Sequence, residues 1–173
     1  MWPTDSEFAH ANDFRQQLND YFVTNHTISQ ILLVALSEAL GMHPTNLSSK
    51  CSKADHVLEL KRYNAMSSGT DVDRLRSHKD LSMLSLLLQD RHGGLEVLHN
   101  ELGWINTRVT EGALLVNVGD ILERVTEQKV LSTPHRVRFE PSEHPRHSIV
   151  CFTRANWDEH VDKNEMVGDM MPL

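Results

Sequence analysis

Three side chains have the types and spacing to act on one ion: His78 and Asp80, two apart in "RSHKDLSMLSLLLQD", and His135 in "STPHRV". Side chains two apart on a strand share a face. A histidine and a carboxylate placed that way can form a surface ion pair. They can equally supply two of three ligands to a metal. Two histidines and one carboxylate fill three corners of an octahedron and leave three open, a donor set that suits iron(II). Such an ion can take a bidentate 2-oxo acid and then dioxygen. Arg146 and Ser148 in "RHS" are a second pair two apart. An arginine can grip both oxygens of a carboxylate, with a hydroxyl beside it. The residues thus have complementary jobs, His78, Asp80 and His135 toward a metal and Arg146 with Ser148 toward a dicarboxylate.

These residues need elements to hold them. From Phe14 to Leu40 the apolar residues step by three and four, which predicts one long helix with an apolar stripe. Asn12 or Asp13 is placed to cap its start, and Gly41 with Pro44 to stop it. "HVLELKRY" (56–63) alternates, with Leu58 and Leu60 on one face, and reads as a strand. A loop is expected over 64–73, then short strands over 80–88, 94–98, 103–109, 113–118, 130–139 and 146–153. "DRHGG", "NELG", "TEG" and "PSEHP" carry turn chemistry between them, and "GDILERVTE" (119–127) reads as a short helical turn. Many short strands so spaced predict a sandwich or barrel. The expected architecture is mainly β with a long N-terminal helix.

Composition narrows the class. The chain has 173 residues, 39% of them hydrophobic, enough for the core of one domain of ordinary size. A formal net charge of −7 argues against a generic nucleic-acid binder, which carries a basic stripe. Two cysteines, Cys51 and Cys151, make no disulfide framework, so the expected compartment is reducing and cytoplasmic. The start "MWPTDSEFAH" lacks a basic and then apolar leader. "QILLVALSEAL" is too short to span a bilayer, so no membrane partner is expected. Of the eleven histidines most are scattered, and a scattered histidine is ordinarily a surface or satisfied core residue.

The pieces "SHKD", "LLLQD", "GGLEVL", "GWI", "GALLVNVGD", "STPHRV" and "RHS" occur in one order from Ser77 to Ser148. Together they resemble the Fe(II)/2-oxoglutarate-dependent dioxygenase superfamily, in its isopenicillin N synthase-like branch. The resemblance implies a double-stranded β-helix, a jelly-roll or cupin-like core, with iron at its open end. It implies a metal site of His78, Asp80 and His135, with 2-oxoglutarate and dioxygen as co-substrates. It assigns Arg146 and Ser148 to the far carboxylate of 2-oxoglutarate, Tyr63 in "LELKRY" as a further co-substrate contact, and Phe152 toward the substrate. The activity implied is oxidation of a C–H bond in a small organic molecule of secondary metabolism, usually hydroxylation, with release of succinate and carbon dioxide.

On this reading residues 1–55 form a helical segment packed on the barrel, 56–160 the β-helix core and 161–173 a C-terminal tail. Members of the family carry a substantial segment ahead of the Trp-Pro point where this sequence has Met1-Trp2-Pro3. An exposed barrel flank is therefore expected, and with it self-association or a partner chain. The alternative reading is a truncated, non-catalytic homologue acting as a binding or regulatory subunit.

Overall fold

A computed structural model describes Trp2, Thr4 and residues 6–65, 73–138 and 143–160. The tail expected over 161–173, most of the loop expected over 64–73 and the last residue of the strand expected over 130–139 lie outside the described residues. The chain forms two compact units, Met1–Ser48 and Ser49–Leu173.

The first unit is dominated by helix α1, Ala11–Ala39. Its start lies ahead of the expected caps. His10 takes that place in a left-handed conformation (φ 78°), without a side-chain cap. Its end is the expected one. Gly41 has φ 70°, and the amides of Gly41 and Met42 bond back to Glu38 and Ser37. That paired closure satisfies the orphan carbonyls of the last turn. The stripe differs from the expectation. The buried line is Ala11, Asn25, Ser29, Leu33 and Ser37, whereas Ile31 is 63% exposed. Small polar side chains suit this line because they bond within it: Asn25 and Ser37 donate to carbonyls four residues back. Ser37 Oγ also accepts from the Leu47 amide at 3.1 Å, fixing the chain after the helix. A short helix α2, Asn46–Ser49, follows. No described helix is long and apolar enough to cross a membrane.

Among the described residues the second unit holds eight strands: β1 Val57–Tyr63, β2 Leu75–His78, β3 Leu84–Gln89, β4 Leu95–His99, β5 Gly103–Asn106, β6 Leu115–Val118, β7 His135–Val137 and β8 Arg146–Thr153. One helix, α3 at Asp120–Val125, interrupts them at the expected place. The strands make two antiparallel four-stranded sheets, ordered β1-β8-β3-β6 and β2-β7-β4-β5. This is a jelly roll. Leu87 and Leu95 from the two sheets, with Val137, form a buried cluster that Tyr63, Leu75, Leu115 and Val150 pack against. At ~25 cal/mol per Å² of apolar surface, burying each such side chain is worth about 1.5–3 kcal/mol. β3 is buried on both faces over Leu84–Leu87, which is why it reads as a largely apolar run broken by Ser85 alone.

The inward face of one strand is fixed here, and one local expectation needs correcting. Strand β1 turns its charged face inward. Leu60 is 49% exposed, while Lys61 and Tyr63 line the cavity, because the inner face of this edge strand borders a polar site. The stretch from Asp80 to Met83 is not strand. His78 ends β2 and Asp80 stands in the turn before β3, so the two do not share a strand face.

Candidate metal centre

The sheet register brings the two histidines together. His78 on β2 lies directly opposite His135 on β7, and their ring centroids are 4.3 Å apart. Asp80 reaches them from the turn. The turn is held by the start of α3, whose Asp120 and Ile121 amides donate to the carbonyls of Asp80 and Ser82 at 2.8 and 3.1 Å. Gly119 is required here by space. A side chain at that position would overlap the Ser82 carbonyl.

Asp80 Oδ1 lies 3.5 Å from His78 Nε2 and 3.4 Å from His135 Nε2. Among the described residues this is the group of histidine and acid side chains whose ligand atoms all fall within 4.8 Å of one another. The outer nitrogen of each ring is fixed by the backbone. Nδ1 of His78 donates to the Arg76 carbonyl at 2.8 Å, and Nδ1 of His135 to the Thr133 carbonyl at 3.2 Å. A carbonyl only accepts, so the proton sits on Nδ1 and the Nε2 lone pair faces Asp80. Such outer bonds orient metal-bound imidazoles.

The charges agree with a cation between these atoms. Burial pushes the Asp80 carboxyl up, but His135 and His78, where a proton takes the place of an ion on Nε2, outweigh it and hold it well below the usual carboxylate range. Asp80 in turn raises the His78 imidazole's affinity for a proton, against burial. A buried carboxylate facing two nitrogen lone pairs is a donor set for a dication. Ligands at about 2.0–2.2 Å and right angles stand about 3 Å apart, so Asp80 Oδ1 and each histidine Nε2 need to close by only a few tenths of an ångström.

The same cavity carries the second predicted pair. Arg146 and Ser148 on β8 point inward and are 6% and 5% exposed. Arg146 Nε donates to the Gly93 carbonyl, Nη1 to Ser148 Oγ at 3.3 Å and Nη2 to Gln89 Oε1 at 3.3 Å. The guanidinium lies 5.0 Å from the Tyr63 ring centroid. Gly93 and Gly94 both have positive φ, which lets the turn bring a carbonyl against the guanidinium. Burial lowers the Arg146 pKa, opposed by Tyr63 and Asp90. A buried cation with partial neutral partners is poised for an anion. Phe152 also lines the cavity, level with Ser85 on the neighbouring strand.

All seven side chains expected at a site (His78, Asp80, His135, Arg146, Ser148, Tyr63 and Phe152) therefore face one cavity. Sequence reasoning missed Gln89, Lys61, Ser85 and Asn117. Lys61, Ser85 and Asn117 line the cavity, and Gln89 bonds Arg146. The alternation of "ELKRY" offered a signal for Lys61, since it shares a strand face with Tyr63.

Residues 54–155 match the family model of the 2OG-Fe(II) oxygenase superfamily. The chain is 39% identical over 127 residues to 1-aminocyclopropane-1-carboxylate oxidase homolog 1 of Arabidopsis thaliana, covering 72% of this chain and 34% of that one. With homolog 11 from the same plant it shares 34% identity over 176 residues, 98% of this chain and 47% of that one. The chain thus spans between a third and a half of the length of these relatives. Among solved structures, a full-length Neurospora crassa protein crystallised in complex with alpha-KG superposes with a TM-score of 0.84 at 26% identity, covering 93% of this chain and 52% of that one.

Proposed function

Because the chain belongs to the 2OG-Fe(II) oxygenase superfamily, we propose that it hydroxylates a C–H bond of a small organic molecule. In that reaction one oxygen atom of O2 enters the product. The other enters succinate, formed as 2-oxoglutarate loses carbon dioxide. Iron(II) held at the centre would activate dioxygen, which is the oxidant.

The observation that carries this reading is the convergence, in one cavity, of three metal-ligand atoms and a buried arginine beside a serine. His78, Asp80 and His135 bind the ion. Their Nδ1 bonds hold both rings in the binding tautomer. Arg146 and Ser148 orient 2-oxoglutarate through its far carboxylate, with Tyr63 packed against the guanidinium and Gln89 bonded to it. Leu87, Leu95, Val137 and Val150 exclude water between the two, which strengthens each charged contact. Phe152 faces the substrate. A non-catalytic binding homologue gains no support from a complete ligand set. The two buried free thiols suit a reducing compartment, and we place the protein in the cytoplasm.

The test is succinate formation from 2-oxoglutarate with Fe(II) and dioxygen, alongside anaerobic binding of each. Binding of both with iron-dependent succinate supports the reading. A protein that binds neither overturns it.

A further inference from the structure

Resting on the oxygenase reading, we propose that Lys61 anchors a carboxylate on the organic substrate, with Glu59 as its counter-ion until that substrate arrives. The placement comes from the register. On β1, Glu59, Lys61 and Tyr63 lie opposite Val150, Ser148 and Arg146 of β8, so all six share the inward face. Of Glu59 and Lys61, it is Lys61 that lines the cavity, together with His78, Asp80 and Phe152. The group presented to a ligand is therefore the ammonium.

Charge decides what that ligand carries. The Arg146 guanidinium is taken by the far carboxylate of 2-oxoglutarate, and the near end of that acid falls to the metal. The divalent ion, Arg146 and Lys61 exceed Asp80 and the two carboxylates of 2-oxoglutarate by one positive charge. Glu59 supplies that missing negative charge, with its Oε2 at 2.9 Å from Lys61 Nζ. The pair is weak. Its side chains are 30% and 45% exposed, so water screens it, and both stand on an edge strand where Glu59 can turn to solvent. A monocarboxylic acid brings the same charge and adds an apolar body that fits against Val150, Leu87 and Phe152. A neutral substrate of the same shape leaves Glu59 in place and gains nothing from Lys61.

The experiment uses the full chain loaded with Co(II) and 2-oxoglutarate without dioxygen. The probes are hexanoate and phenylacetate, each against its own amide. Paramagnetic relaxation of probe protons reports binding near the metal. The acids are expected to bind at least tenfold tighter than the amides. Lys61→Met should bring acid and amide within twofold while leaving the 2-oxoglutarate dissociation constant within twofold. Glu59→Gln removes the competing carboxylate and should tighten the acids about threefold or more. Equal binding of acids and amides, or no acid binding, overturns the proposal. So does a tenfold loss of 2-oxoglutarate affinity in Lys61→Met, which would give the ammonium to the co-substrate. A parent protein that takes up neither Co(II) nor 2-oxoglutarate fails earlier, and removes the oxygenase reading with it.

Discussion

Replacing Gly119 with alanine tests how Asp80 is held. Gly119 has φ −97°, so an alanine meets no backbone strain there, and the whole effect is steric. The added methyl would collide with the Ser82 carbonyl and Oγ. The carbonyl is backbone and cannot rotate away. Relief requires α3 to lift from the turn at 80–83, and three bonds join them: Gly119 to Met83, Asp120 to Asp80 and Ile121 to Ser82, at 3.0, 2.8 and 3.1 Å. Overpacking of this kind costs about 1–3 kcal/mol. For a chain of this size that is a fall in Tm of about 3–10 °C. The second consequence is at the metal. Disturbing what positions a ligand lowers metal affinity about 10–100-fold. Thermal melting of the metal-free protein and calorimetric titration with Mn(II) measure the two separately. Gly112→Ala is the comparison, because nothing lies near its methyl and only its φ of 74° opposes the change. It should lower Tm and leave Mn(II) affinity unchanged. If Gly119→Ala melts within 1 °C of the parent and binds Mn(II) within twofold, the contact with α3 does not position Asp80.

Other outcomes follow from the same geometry. His135→Ala should reduce Mn(II) or Fe(II) affinity by at least about 100-fold in titration, since it removes one of three ligands. Arg146→Lys keeps the charge but loses the fork, and should raise the 2-oxoglutarate dissociation constant about tenfold or more. Ser37→Ala leaves the Leu47 amide without its acceptor in a buried place and should cost about 1–3 kcal/mol in denaturant unfolding. Burial pushes the thiol of Cys51 up to about 12 and that of Cys151 up to about 11, from an ordinary 9.0. Both should resist alkylation at pH 8 in the folded protein and react on unfolding. Because these pKa values are raised, their contribution to stability is complete below pH 9 and is lost as pH climbs toward 11–12.

The site was legible because its residues come in short local pairs whose spacing survives any error in strand limits. His78 and Asp80 converge although Asp80 lies beyond the strand, since one turn suffices to bring it round. Arg146 and Ser148 sit on β8, a central strand whose observed limits are those expected. Strand β7 was harder. Among the described residues of the expected 130–139 only His135–Val137 pairs, and its start is set by Pro134, which has no amide to give a ladder. Alternation in β1 did not say which of its faces points inward. Apolar residues normally point to a core, but here the inner face borders a polar cavity, so Lys61 lines it and Leu60 is exposed. The buried line of α1 defeated periodicity in the same way. Asn25, Ser29 and Ser37 are polar by type, yet Asn25 and Ser37 meet that polarity inside the helix. Gln89 was invisible because its role is to bond another residue across the sheet, a relation that needs the register to be known.

Each imidazole of the centre leans on the carbonyl of the residue two places before it, at Arg76 and at Thr133. A backbone carbonyl stays where it is whatever side chain its residue carries. Mutation at Arg76 or Thr133 can change the surface without releasing the ring that depends on it. Other residues that line the cavity, Lys61, Asn117 and Phe152, hold neither ring in place. Reactivity and selectivity are thus written on separate parts of the scaffold. A lineage could recut the pocket for a new molecule, one wall at a time, without first losing the ion.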